Sequence, residues 1–539
     1  MTSGLAAAAA FATALLAAVA MAGCGGGGNE PNPPVQPSPR FDAQPNVILV
    51  LTDDQDLAAY NRRTMPDTVR LLADRGTTFS RYVDATPLCC PARAALVTGQ
   101  YGHNNGVLNN IPGYETLRDK DNIVSTWLDR AGYETAYIGK YMNGYERVVG
   151  DNKTPGPGWD RWFGMVGKHS FYDFKLAVGG ERRKRHYEGQ YLTDVLNRLA
   201  AEQVSDLSRA DDPFYLQFSQ LAPHVENGDS GGPCGTDAVP AKRDLHRFQN
   251  ATLPNMPAVR ETDVSDKPSF IRSLPRIGAH KLKVIRARYI CRLQSLRAVD
   301  RGMKMIVDAL REAGELDDTV IIYTSDNGTF QGQHGLPGGK GLPYEEAARL
   351  PLVMRVPPAF RGGGRAVARS DAPVASIDVV PTIVDWAGAE TCPESGDCRV
   401  MDGRSLVPVL EGRRDAIGSD RPILTEFDVG KDEIQPGRGI ACAYRGVYAG
   451  RWLYVNHSSV PDPRTGRCMD ADESELYDLV RDPFELENAA SPSGGARAGA
   501  VQERLAAITE RLADCAGIEG RDPEPASGHY CGAEAGAGR

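Results

Sequence analysis

The short run Cys89-Cys90-Pro91-Ala92-Arg93 offers a sulfur nucleophile beside an anion-binding turn. A proline in the first helical turn forfeits no hydrogen bond, so Pro91 sets a helix N-terminus just behind Cys89 and aims free backbone N–H groups at any anion beside it. That suits a negatively charged ester. The same residues also fit a buried or metal-bound cysteine pair, and motifs this short often match by chance. Asp53-Asp54 and Asp326-Asn327 add oxygen donors with no histidine or cysteine cluster among them, which favours a hard cation, Ca2+ or Mg2+, over zinc. Either pair alone is equally at home in an ordinary turn.

A sheet must bring these groups together. Asn46-Val47-Ile48-Leu49-Val50-Leu51-Thr52 and Thr319-Val320-Ile321-Ile322-Tyr323-Thr324 are unbroken apolar runs of the kind buried on both faces, and each leads into one of the acidic pairs. Helical patterns lie between them, near residues 65–75, 123–131 and 285–313, so strands and helices alternate and the fold class is α/β. Sites in such sheets gather at the carboxyl ends of strands. Phe214-Tyr215-Leu216-Gln217-Phe218 reads as another buried strand and runs on to His224, a general-acid candidate at the same edge.

Extended by its flanks from Pro87 to Gly99, the cysteine motif resembles the signature of the type I sulfatases, in which the first cysteine is oxidised to formylglycine. The resemblance makes Cys89 the nucleophile. It makes Asp53, Asp54, Asp326 and Asn327, with the modified Cys89, the ligands of one divalent cation, usually calcium. Gly132-Tyr133-Glu134-Thr135-Ala136-Tyr137-Ile138-Gly139-Lys140-Tyr141 is similar to the second family signature, whose lysine, here Lys140, lies near the sulfate. Met142 stands where many members carry a histidine that serves as base in the second chemical step. The G-K-Y-x-N variant, with Tyr191-Leu192-Thr193-Asp194-Val195-Leu196, resembles the N-acetylglucosamine-6-sulfatases and the extracellular heparan-sulfate sulfatases. Ala222-Pro223-His224 resembles the family's A-P-H, which assigns His224 to sulfate contact and leaving-group protonation. The loop through Gly332-Gln333-His334-Gly335 to Lys340 resembles the family's glycine-rich loop; Lys340 takes the sulfate contact, with His334 a second substrate-binding candidate.

The fold implied is alkaline-phosphatase-like: a large mixed sheet flanked by helices over residues 45–390, then a smaller C-terminal subdomain with an antiparallel sheet over 391–539. Glu475-Leu476-Tyr477-Asp478-Leu479 with Asp482-Pro483 and Asn488 resembles a structural segment of that subdomain. The chemistry implied is attack on sulfur by one hydroxyl of the hydrated aldehyde, with Arg93, Lys140 and Lys340 offsetting charge on the sulfuryl oxygens. The second hydroxyl then loses its proton and sulfate is expelled. An arylsulfatase is the alternative within the family, the same fold serves phosphonate and phosphate ester hydrolases in sister families, and a glycan-binding lipoprotein that has lost catalysis is the non-enzyme alternative.

The remaining features concern location and partners. The chain has 539 residues with a formal net charge of −9, so no global positive field attracts nucleic acid, and an anionic substrate must be recognised locally. Residues 1–23 are Ala- and Leu-rich and resemble a bacterial lipoprotein signal, without Lys or Arg at the start, which would put lipid on Cys24 and the protein in the cell envelope, or, without lipid, would have it secreted. Residues 24–44, rich in Gly and Pro, read as a tether. Maturation calls for a formylglycine-generating enzyme as partner. Of eleven cysteines, nine remain after Cys24 and Cys89, which fits four bridges and a free Cys90. Cys392 with Cys398, Cys442 with Cys468 and Cys515 with Cys531 are the short-loop choices. Arg182, Arg183, Lys184 and Arg185 form a basic run, either a solvated turn or a contact for sulfated glycan.

Overall fold

The computed structural model describes residues 43–515 apart from 151–153, 182, 227–233, 236, 365, 393–397, 431–439 and 491–494. The expected export signal, Cys24 and most of the tether lie outside the described residues. Ten strands form the main sheet: β1 (Asn46–Thr52), β2 (Thr77–Val83), β3 (Glu134–Gly139), β4 (Arg161–Val166), β5 (Asp173–Val178), β6 (Arg185–Glu188), β7 (Phe214–Ser219), β8 (Thr319–Ser325), β9 (Leu352–Arg355) and β10 (Arg369–Ala375). Their order is β10-β2-β9-β8-β1-β7-β3-β4-β5-β6. The central run β8, β1, β7, β3, β4 is parallel throughout, whereas β9 and β5 run antiparallel to their neighbours.

The unbroken apolar strands follow from burial on both faces. In β1, Val47, Leu49 and Leu51 enter one core with Trp127 and Trp386, beneath the helices Cys89–Thr98, Val124–Arg130 and Val379–Ala387. Ile48 and Val50 enter the other, packed by the helices Leu192–Leu207 and Ala279–Ala313. Side chains that alternate across a strand thus meet apolar surface on either side, and no position needs to be polar. The expected helix at 65–75 is two shorter pieces, Pro66–Leu71 and a 3-10 turn Ala73–Arg75.

A second sheet, β11 (Ile423–Asp428), β12 (Ala443–Ala449), β13 (Trp452–Pro461) and β14 (Cys468–Asp478), is antiparallel in sequence order. One face packs on the helix Gly495–Ala513 through Val447, Tyr454, Leu476 and Leu505. The other joins Phe330, Tyr344 and Phe427 in a core beneath the lysine loop. The mixed sheet and the separate antiparallel sheet are as expected.

Cystines join Cys392 to Cys398 and Cys442 to Cys468. A third, Cys234–Cys291, spans 57 residues, a pairing that short-loop arithmetic does not select. Cys515 is disulfide-bonded, and the expected pairing with Cys531 lies outside the described residues. Cys89 and Cys90 are the free, buried cysteines among the described residues.

Candidate active site

Four adjacent parallel strands each deliver a charged or titratable group at the carboxyl edge. Asp326 and Asn327 follow β8, Asp53 and Asp54 follow β1, His224 comes shortly after β7, and Lys140 follows β3. Backbone bonds between the loops fix their heights: Asp326 N donates to Thr52 O at 3.1 Å and Lys140 N to Ser219 O at 3.0 Å. Gly139 must be glycine, because at its φ of 109° a Cβ would lie 1.8 Å from Ser219 O. Gly328 is equally constrained: a Cβ there would lie 2.0 Å from Glu346 O. Asp54 adopts φ 68°, a left-handed turn that a short polar residue tolerates.

Cys89 opens the helix Cys89–Thr98, with Pro91 in its first turn. Its sulfur accepts from Lys340 Nζ at 2.7 Å and from Lys140 Nζ at 3.5 Å, and lies 3.4 Å from Asp53 Oδ1. Arg93, one turn along the same helix, reaches back beneath it. Its Nε donates to Asp326 Oδ2 at 3.0 Å, Nη2 to Asp53 Oδ2 at 3.1 Å, and Nη1 to Lys140 O. Lys140 Nζ also bonds Asp53, and Lys340 Nζ bonds Asp54. A planar fork with five donors can join two carboxylates and a carbonyl at once, which a lysine cannot.

The electrostatics follow from burial. Asp53, Asp54, Cys89, Arg93, Lys140, Asp326 and Asn327 are all buried. Burial alone would raise Asp53, but Lys140, His224, Arg93 and Lys340 together hold it well below the usual carboxylate range. Asp54 is lowered in the same way, chiefly by Lys340 against its own burial. Asp326 is pushed up to about 6 by burial and by the charge on Asp53. Burial, with repulsion from Asp53, lifts the Cys89 thiol to about 12, so an unmodified sulfur stays protonated at neutral pH and is a poor nucleophile. His224 donates from Nδ1 to Val225 O at 2.7 Å, which turns Nε2 to the carboxylates, 3.9 Å from Asp54 and 4.0 Å from Asp53. Burial lowers its imidazole to about 4, so it is neutral with a free lone pair on Nε2.

The residues fit a divalent cation. Asp53, Asp54, Cys89 and His224 offer atoms all within 4.8 Å of one another. Asn327 Oδ1 is buried with no hydrogen-bond partner, while its Nδ2 donates to Asp54 Oδ1 at 2.6 Å. A side-chain amide beside a carboxylate can present either atom, and a cation would draw the oxygen. The carboxylates of Asp53, Asp54 and Asp326 balance Arg93, Lys140 and Lys340 one for one, so a dication would leave the site net positive and receptive to an anion.

His334 is not in this group. Its ring is fully buried, Nδ1 sits 2.8 Å from Glu261 Oε2, Nε2 sits 3.6 Å from Glu346 Oε2, and the ring stacks on Tyr344 at 4.5 Å. Burial opposes its charge, yet the two carboxylates raise it to about 10. Its φ of 52° turns the loop so that His334 points inward before Lys340 returns to the sulfur. His334, Glu346 and Glu485 have metal-like spacing, but Lys267, fully buried and 3.1 Å from Glu261, with the imidazolium already supplies the positive charge. The substrate-binding assignment for His334 is therefore corrected to a structural ion cluster.

The basic run is also remote from the site. β5 runs antiparallel to β4, so the turn that follows it lies beside Trp162, at the amino end of the parallel strands. Arg185 is paired with Glu181 there, and Arg182 lies outside the described residues. Met142 is buried in the aromatic core beside the site, among the tyrosines 114, 141 and 145. The sequence reading passed over His169, whose ring meets that of His224 edge-on at 5.6 Å. Its one signal was its place after β4, the next parallel strand in the row.

Known proteins are similar to this chain in sequence and in fold. A match to the family described as Sulfatase spans residues 45–389. An extracellular sulfatase SULF-1 homologue of Drosophila melanogaster is 34% identical over 70% of this chain, which covers only 32% of that protein's length. A human N-acetylglucosamine-6-sulfatase is 28% identical over 89% of this chain and 86% of its own. A solved structure of a protein with its substrate D-glucosamine-2-N,6-O-disulfate superposes with a TM-score of 0.65 at 25% identity, covering 87% of this chain and 97% of that one. With the family match running over most of the described residues, and with the strand order and acidic strand ends already in place, this protein is a member of the sulfatase family.

Proposed function

We propose that the protein hydrolyses sulfate esters of glycans, with a 6-sulfated amino sugar as its preferred unit, outside the cytoplasm and after oxidation of Cys89 to formylglycine. The observation that carries the proposal is the Cys89 sulfur itself, held at a helix N-terminus between Lys340, Lys140 and Asp53 while its own pKa makes it useless as a thiolate. Oxidation would replace it with an aldehyde whose hydrate offers two hydroxyl groups, one to attack and one to release the product. A calcium ion, or magnesium, held by Asp53, Asp54, Asp326 and Asn327 would acidify an oxygen nucleophile and offset ester charge.

The chain's own residues do the rest. Lys140 and Lys340 hold the sulfuryl oxygens, while Arg93 stays beneath them and keeps Asp53 and Asp326 ionised and aligned. His224 is neutral at rest, so it must take up a proton before it can protonate the departing alcohol, and the negative charge of a bound ester favours that uptake. We further propose a catalytic portion over 45–390, a C-terminal subdomain over 391–539, and export with lipid on Cys24. Among the described residues no helix is long and apolar enough to cross a membrane.

The test is the full chain made with and without a formylglycine-generating enzyme. The Cys89 peptide from matured protein should be about 18 Da lighter than the thiol, with Cys90 unchanged, and sulfatase activity should track that fraction. Cys89→Ala should be inactive; full activity in that variant would end the assignment. Faster turnover of phosphate or phosphonate esters than of sulfate esters would move the protein to a sister activity.

A further inference from the structure

The row of parallel strands that builds the site does not stop at β3. β4 lies beside it and runs the same way, so the loop after β4 opens on the same carboxyl edge, next to Lys140. That loop carries His169. Two bonds from Glu226, two residues beyond His224, fix it: Glu226 Oε1 accepts from Ser170 Oγ at 2.8 Å and from Phe171 N at 2.9 Å. At the loop's start, Gly167 N donates to Glu146 Oε1 at 2.8 Å. The loop after β4 and the loop after β7 are therefore one wall, and the two imidazoles stand on it at right angles, 5.6 Å apart.

His169 takes no part in the bonds that hold that wall together. Its ring is partly exposed, and neither nitrogen makes a hydrogen bond to any of the described residues. Burial first, then Lys140 and His224, keep its imidazole neutral. A neutral imidazole offers one donor and one acceptor, which suits a hydroxyl or an acetamido group and is a poor match for a sulfuryl group already served by two ammonium groups. A polar group held in place without a protein partner is positioned to meet a ligand.

We infer that His169 is a substrate-contacting specificity residue on the leaving-group side of the site, exchanging hydrogen bonds with a hydroxyl or acetamido group of the sugar. This rests on the amino-sugar reading above. A residue that acted only through His224 would change leaving-group protonation and so affect every ester of a primary alcohol alike. A residue that touches the sugar would not.

The experiment compares kcat/KM for N-acetylglucosamine 6-sulfate with that for a simple primary alkyl sulfate, using the matured full chain and its His169→Ala and His169→Asn variants. The two esters share a leaving-group class, and only the first carries sugar hydroxyls and the acetamide. His169→Ala should lower the ratio of the two by about 10- to 100-fold, and His169→Asn, which keeps a donor and an acceptor, should recover part of it. Equal losses on both esters, or an unchanged ratio, would overturn the inference and leave the amino-sugar reading intact. A wild-type enzyme with no preference for the sugar ester would overturn both.

Discussion

Replacing His334 with glutamine removes a buried positive charge and little volume, which makes the ion cluster beneath the lysine loop open to measurement. The imidazole lies 2.8 Å from Glu261 and 3.6 Å from Glu346, and both side chains are almost wholly buried. Folding raises its pKa from 6.5 to about 10, with burial outweighed by the two carboxylates. A group raised on folding stabilises fully below its unfolded pKa and loses that contribution as pH climbs through the folded value. At about 1.4 kcal/mol per tenfold, the displacement is worth roughly 5 kcal/mol, present below about pH 6.5 and gone above about pH 10. Burial, with Glu346 and Glu345, also raises Glu485 well above the carboxylate range, and its proton is lost in the same direction. In His334→Gln, Glu261 would keep Lys267 and Glu346 only the neutral amide of Asn255, a loss of about 3–5 kcal/mol at neutral pH and below. Urea unfolding of the full chain, followed by tryptophan fluorescence across this range, should show a wide gap at the acid end that closes as the wild type weakens. Parallel curves, or a variant as stable as the wild type near pH 6.5, would refute the reasoning.

The other predictions concern the chemistry. His224→Gln should cost about 100- to 10,000-fold on a sulfated sugar and far less on 4-nitrophenyl sulfate, because the phenolate leaves without a proton; equal losses would remove His224 from leaving-group protonation. Asp326→Asn should lower both bound calcium, measured by elemental analysis, and turnover by orders of magnitude, and exhaustive chelation should do the same to the wild type. Unchanged metal content and rate after either treatment would place the cation elsewhere.

How much was legible in the sequence depended on whether a group's position is set by a strand end. Asp53, Asp326 and His224 each follow a strand whose two-faced burial writes an apolar run into the sequence, so strand and edge could be read together, whereas Lys140 was legible only through the signature that it shares with the family. His169 follows β4, where Arg161 and Gly164 leave only short apolar pieces, and its loop reads as ordinary polar chain. His334 is a substrate-binding candidate in the sequence because it belongs to the loop that resembles the family's glycine-rich loop with Lys340, but a left-handed residue reverses the chain there, and neighbours in one loop face opposite directions in space. The glycan role weighed for the basic run was not drawn from strand direction at all. Only the antiparallel pairing of β5 puts it at the far end of the sheet. Cys234–Cys291 was hidden for a related reason: its partners lie on a loop and a long helix 57 residues apart.

The arrangement also explains how so much charge can be buried in one place. An isolated buried carboxylate would simply take up a proton, and Asp326, at about 6, is already part of the way there. Asp53 escapes because Arg93 and Lys140 both bond the same oxygen, and Arg93 can do so only because it rises from the helix that begins at Cys89. The nucleophile's position and the ionisation of the groups beside it are therefore set by one element. A shift of that helix would misplace the reacting atom and discharge the carboxylates together, so a variant that loosens the helix should lose activity and metal affinity in parallel rather than one before the other.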